Sequence, residues 1–122
     1  MPSKSILIIE DDLHLRHSMS LVLRRAGYQA DGVAQAAEAL AYLKTGQYDL
    51  IILDFGIPGN GLNALSKLQR LYPSVAVLIL SSQPLPGKIH EFSGLETPVL
   101  LMKPVKPECL LEHVEMLLAR PL

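Results

Sequence analysis

Apolar residues follow two rhythms along this chain. Ser5 to Ile9, Leu50 to Leu53, Val75 to Leu80 and Val99 to Met102 are short, nearly unbroken apolar runs. Runs of that length bounded by turn residues read as strands buried on both faces, as in parallel sheets. Tyr28 to Val33 is a weaker strand of the same kind. Between these runs the spacing changes to that of one helix face. Leu15, Met19, Val22, Leu23 and Ala26 form the first such set, with Asp12 as its predicted cap and Gly27 as its stop. Ala36 to Leu43, closed by Gly46, is the second. Leu62, Leu65, Leu68 and Leu71, ended by Pro73, are the third. Leu110, Leu111, Val114, Leu117 and Leu118, opened by Pro107, are the last.

Gln83 to Thr97 breaks the rhythm, because Pro84, Pro86, Gly87 and Gly94 interrupt any long helix. Leu85, Ile89 and Phe92 keep a helical spacing, which predicts a short helix there at most. Strand and helix therefore alternate five times, with the fourth helix short or irregular. That order implies an α/β fold: a parallel sheet with right-handed crossovers and helices on both faces.

Composition narrows the picture. The chain has 122 residues, of which 49% are hydrophobic, a size that suits one domain. Eleven basic residues against twelve acidic ones leave no electrostatic footprint for nucleic acid or an anionic membrane. A single cysteine, Cys109, excludes an internal disulfide and agrees with a reducing compartment. The start, Met1-Pro2-Ser3-Lys4, lacks the apolar core of a signal peptide, and no apolar run approaches a membrane span. These features predict a soluble, cytoplasmic single domain.

In an open parallel sheet the loops after the strands gather along one edge, where such folds place their chemistry. Glu10-Asp11-Asp12 follow the first strand, Asp54 ends the third, Ser81-Ser82 follow the fourth, and Lys103 follows the fifth. Taken singly, each has a plain structural reading: a strand-ending Asp as a turn, an acidic triplet as a solvated helix start, a lysine as surface charge. Together, clustered carboxylates call for a cation, and oxygen-only ligands favour a hard divalent ion such as Mg2+ or Mn2+. Lys103 and the Ser81 hydroxyl could hold the oxygens of a phosphoryl group on Asp54. The set is equipped for phosphoryl transfer, in which positioning and charge neutralisation carry most of the catalysis.

The segments Ile-Leu-Ile-Ile-Glu10-Asp11-Asp12, Asp-Leu-Ile-Ile-Leu-Asp54-Phe-Gly-Ile-Pro58, Leu-Ile-Leu-Ser81-Ser82 and Lys103-Pro104 resemble the receiver domain of bacterial two-component response regulators. The resemblance spans residues 3–120 as a single domain. It implies a flavodoxin-like, doubly wound five-stranded sheet of order 2-1-3-4-5. It further implies that Asp54 accepts a phosphoryl group from a histidine kinase or phosphotransfer protein and switches a surface for an output partner. By the same pattern Glu10, Asp11, Asp54 and the backbone carbonyl of Gly56 would hold the metal. Ser81 would be the switch hydroxyl, and Lys103 the phosphate-binding lysine, joined to Pro104 by a cis peptide. Gly56 and Gln83 would flank the attacking water in hydrolysis.

Three departures mark this sequence. Gly61 comes three residues after Pro58, one fewer than the family pattern, which reads as a deletion in the acceptor loop. Leu100 stands where the family carries an aromatic residue, three before Lys103. The broken fourth helix alters the face commonly used for output and homodimerisation. Such drift keeps a second reading open, a receiver that binds partners without being phosphorylated. An aspartyl-nucleophile phosphatase would need a second acid two residues after Asp54, and Gly56 is there. The expectation is a signalling domain that catalyses only its own phosphorylation and dephosphorylation, either a stand-alone receiver or a piece of a longer protein. His14 and His17, one turn apart beside Arg16, read as a solvated helix face or a kinase-docking surface before a metal site.

Overall fold

The apolar run Leu50–Leu53 becomes the middle of a five-stranded parallel sheet and is fully buried. The computed structural model describes residues 3–57, 61–84 and 99–119. The strands are β1 (Ser5–Ile9), β2 (Gln29–Val33), β3 (Leu50–Asp54), β4 (Ala76–Ser81) and β5 (Val99–Met102). The helices are α1 (Leu13–Arg25), α2 (Ala36–Thr45), α3 (Gly61–Leu71) and, between Pro107 and Ala119, α4. Strand order is β2-β1-β3-β4-β5, the order expected from the resemblance. The interrupted helix expected between Gln83 and Thr97, and the turn at Pro58-Gly59-Asn60, fall outside the described residues except for Gln83 and Pro84.

Alternation along the strands divides the core in two. Ile6, Ile8, Leu50, Ile52, Leu78, Leu80 and Leu101 pack with Met19 and Leu23 of α1 and with Leu110, Val114 and Leu117 of α4. Leu7, Ile9, Ile51, Leu53 and Ile79 face the other way, onto Ala39 and Leu43 of α2 and onto Leu65 and Leu68 of α3. Strands apolar at every position are what a sheet covered on both faces demands. Leu100 packs against the α2–α3 side, half-buried.

The helix ends follow the predicted punctuation. Asp12 caps α1, its Oδ1 accepting from the amides of His14 at 2.9 Å and Leu15 at 3.1 Å. At the other end Gly27 takes φ of +99°, with bonds from Gly27 N–H to Arg24 O and from Tyr28 N–H to Leu23 O, both at 3.0 Å. This paired pattern ends a helix with a left-handed residue, a conformation that costs glycine nothing in steric terms. The Asp12 cap fixes where α1 starts, and so where the acidic residues before it stand.

Candidate functional site: an acidic pocket at the carboxyl ends of the strands

Glu10 is the most constrained residue of the pocket. Its backbone N–H donates to Val33 O at 3.0 Å, tying it to the end of β2. Its carbonyl accepts from the Arg16 guanidinium at 2.8 Å, and its Oε2 accepts from the Asp12 amide at 3.3 Å. Oε1 is fully buried and makes no well-angled hydrogen bond, and the Lys103 ammonium lies 3.0 Å from it. A buried carboxylate oxygen with so little hydrogen bonding is costly, and a cation is what would satisfy it.

Asp54 ends the central strand and is 4% exposed. Its Oδ1 lies 3.4 Å from Lys103 Nζ and accepts from the Gly56 amide at 3.1 Å. Phe55 N–H bonds Leu80 O at 2.8 Å, so pairing with β4 continues past the aspartate and holds the loop's first residue. A Cβ on Gly56 would meet only that Oδ1, at 3.6 Å, so the space before the aspartate is open. Gly61 differs. A Cβ there would overlap the Phe55 carbonyl oxygen and lie 2.9 Å from its carbon. The start of α3 therefore packs directly on the backbone of the loop after β3, an approach that only glycine permits.

Asp11 is exposed at the rim, and ligand oxygens of Glu10, Asp11 and Asp54 all lie within 4.8 Å of one another. If ionised, three carboxylates face the Lys103 ammonium and leave two negative charges, the charge of one divalent cation. Spacing, burial and donor chemistry thus fit a hard divalent ion. Burial, reinforced by the adjoining Asp54 carboxylate, pushes Glu10 up to about 7 against the Lys103 ammonium and the Asp12 amide. Burial by itself would lower the Lys103 ammonium, but Glu10 and Asp54 outweigh it and hold the group above its ordinary value. The Leu15 amide, and then that of His14, hold the Asp12 carboxyl below the ordinary range, as suits a cap.

Ser81 ends β4 and is 7% exposed. Its hydroxyl donates to Gln83 O at 2.5 Å and accepts from Gln83 N–H at 3.1 Å, so it is turned onto its own loop. Lys103 N–H donates to Ser81 O at 2.9 Å, and the Lys103–Pro104 peptide is cis, as expected. The structure thus brings Glu10, Asp11, Asp54 and Lys103 together and holds Ser81 one strand away. His14 and His17 are exposed on α1 and, among the described residues, join no cluster of potential metal ligands. Cys109 is a free, half-buried thiol on α4.

Residues 6–115 match the response regulator receiver domain family. The chain belongs to that family. This receiver domain is 35% identical over 119 residues to the transcriptional regulatory protein BasR of Escherichia coli, covering 94% of this chain and 52% of that protein. It is 38% identical over 79 residues to PmrA of Pectobacterium parmentieri, covering 64% of this chain and 36% of that one. The receiver spans 18% to 52% of the length of the first curated relatives it matches. Its backbone superposes on a CheY-like receiver domain protein from Methanospirillum hungatei with TM-score 0.85, at 28% identity, covering 96% of this chain and 94% of that one. For chemotaxis protein CheY4 of Vibrio cholerae the TM-score is 0.86, at 27% identity, covering 95% and 99%. The flavodoxin-like architecture is therefore shared throughout. Among the described residues no helix is long and apolar enough to cross a membrane.

Sequence reasoning missed Arg16 as a member of this site and placed it only beside a docking face. The usable signal was Gly32, a glycine in the interior of a strand, which often marks a close approach by another group.

Proposed function

We propose that this receiver takes a phosphoryl group onto Asp54 from a phosphohistidine of a histidine kinase or phosphotransfer protein, and passes the change to an output partner. One observation carries the reading: the Glu10, Asp11 and Asp54 carboxylates converge within 4.8 Å, and Lys103 bridges Glu10 and Asp54 at 3.0 and 3.4 Å. In the transfer an Asp54 carboxylate oxygen forms the O–P bond while the P–N bond to histidine breaks and the imidazole leaves with its electron pair. Glu10, Asp11, Asp54 and the Gly56 carbonyl would hold Mg2+ or Mn2+, which when bound neutralises charge on the phosphoryl oxygens. Lys103 is already between the carboxylates and takes one of those oxygens as a charge-assisted partner. The Ser81 hydroxyl must leave the Gln83 carbonyl to reach another. The receiver unit takes in residues 3–120, works in the cytoplasm and catalyses only the gain and loss of its own phosphoryl group.

Incubation with acetyl phosphate and Mg2+ should label the wild type and leave Asp54→Asn unlabelled. Persistent labelling of the variant would move the acceptor elsewhere. A wild type that takes no label under any donor would leave a phosphorylation-independent binding module.

A further inference from the structure

We propose that Arg16 is a positioning residue for the acidic pocket, and that Gly32 on the edge strand β2 is there to let it reach. The inference rests on the metal-binding reading above and goes beyond it. Arg16 leaves the first turn of α1, where its amide donates to Asp12 O at 2.9 Å. The guanidinium reaches back over the end of the sheet to the Glu10 carbonyl, at 2.8 Å. Along the way the stem lies on the backbone of Gly32: a Cβ there would sit 2.7 Å from Arg16 Cγ and 2.9 Å from Cδ. Real Cβ contacts are not that short, so any side chain at position 32 would have to push the arginine stem away.

Glu10 is thus held from two directions, by Val33 O of β2 at its nitrogen and by Arg16 of α1 at its oxygen. One bond holds the peptide unit before the Glu10 Cα and the other the unit after it, so the Cα between them is fixed and the carboxylate is kept beside Asp54 and Lys103. The hydrogen bond the Arg16 side chain makes is to a backbone carbonyl. Arg16 acts through Glu10, as partners behind a metal ligand do, and loss of such a partner typically weakens metal affinity about 10- to 100-fold. Gly32 has no other evident reason to be glycine, since its φ does not lie in the left-handed range and alanine suits a strand interior better.

The test is an amide-detected titration of the full chain with MgCl2, following Gly56 and Asp12. Arg16→Met, which keeps the apolar stem and removes the donor, should bind Mg2+ about tenfold more weakly than wild type. Gly32→Ala, which leaves the guanidinium chemically intact, should weaken binding to a similar degree and add nothing further in the Arg16→Met background. Wild-type affinity in either single variant overturns the proposal, as does an equal loss from Gly32→Ala whether or not Arg16 is present. Thermal midpoints that fall while Mg2+ affinity stays put assign Arg16 to stability alone and overturn it too. A wild type that binds no Mg2+ sinks the underlying metal reading instead, so the two failures are distinct.

Discussion

Ser5, Gln29 and Asp49, at the amino ends of β1, β2 and β3, pair donors with acceptors; Glu10, Asp11 and Asp54, at the carboxyl ends of β1 and β3, set acceptor against acceptor. At the amino edge the Ser5 amide donates to Asp49 Oδ2 at 2.8 Å and the Asp49 amide returns a bond to Ser5 O at 2.8 Å. The Ser5 hydroxyl donates to Gln29 Oε1 at 3.2 Å, and all of this lies in contact with water. At the carboxyl edge Glu10 and Asp54 are buried together, with Lys103 between them. The same sheet, built from the same kind of strand, thus has one edge at rest and one held in electrostatic conflict. A folded chain tolerates such a conflict where something arriving from outside resolves it, and perturbed carboxylates are a mark of functional sites.

Mutations can separate the two edges. The hardest blow should come from Gly61→Ala, since the new methyl meets the Phe55 carbonyl and either the loop after β3 or α3 must shift. A loss of about 3 kcal/mol in denaturant unfolding is expected. Lys103→Met comes next. It should cost about 2 kcal/mol at pH 8, where two buried carboxylates lose their cation, and distinctly less at pH 5, where Glu10 holds a proton. Equal losses at both pH values would break the account of the pocket as a charge conflict.

A gentler probe is pH itself. Glu10 is raised to about 7 in the fold from 4.5. Between those values the folded chain keeps a proton that the unfolded chain releases, so stability falls as pH rises through that window. The metal-free thermal midpoint should therefore decline from pH 4.5 to about 7, and saturating Mg2+ should flatten the slope. Mg2+ affinity should rise over the same range as the competing proton leaves. A metal-free midpoint that rises with pH there would contradict the environment described for Glu10. The smallest effect belongs to the amino edge: Asp49→Ala should cost about 1 kcal/mol through its lost hydrogen bond, with Mg2+ affinity and labelling unchanged.

Local chemistry made much of this legible beforehand. The run Leu50–Leu53 read as a strand buried on both faces, and Asp12 and Gly27 read as the start and stop of the first helix, as they are. Glu10, Asp54 and Lys103 could be grouped because parallel topology sends every strand's carboxyl end to one edge. What stayed hidden depends on distances between elements. Nothing in the spacing of Arg16 announces that its guanidinium turns back to a carbonyl six residues earlier, past a glycine on another strand. Gly61 was noticed as a shortened loop, whereas its physical role is direct packing on Phe55. The Ser81 hydroxyl was legible as a group at the edge; its present attachment to Gln83 was not, because a hydroxyl's partner is chosen by torsion angles that composition does not encode.

The strand order gives the pocket a handedness. Viewed from β3, the neighbour on one side is β1, which leads into Glu10 and Asp11; on the other side is β4, followed by β5, which lead into Ser81 and Lys103. With a divalent ion among Glu10, Asp11 and Asp54, a dianion built on Asp54 would be held on the first side by the ion and on the second by the Lys103 ammonium. The two supports differ in origin: one would be an ion brought from outside, the other a side chain carried on the end of β5, the last strand in the sheet.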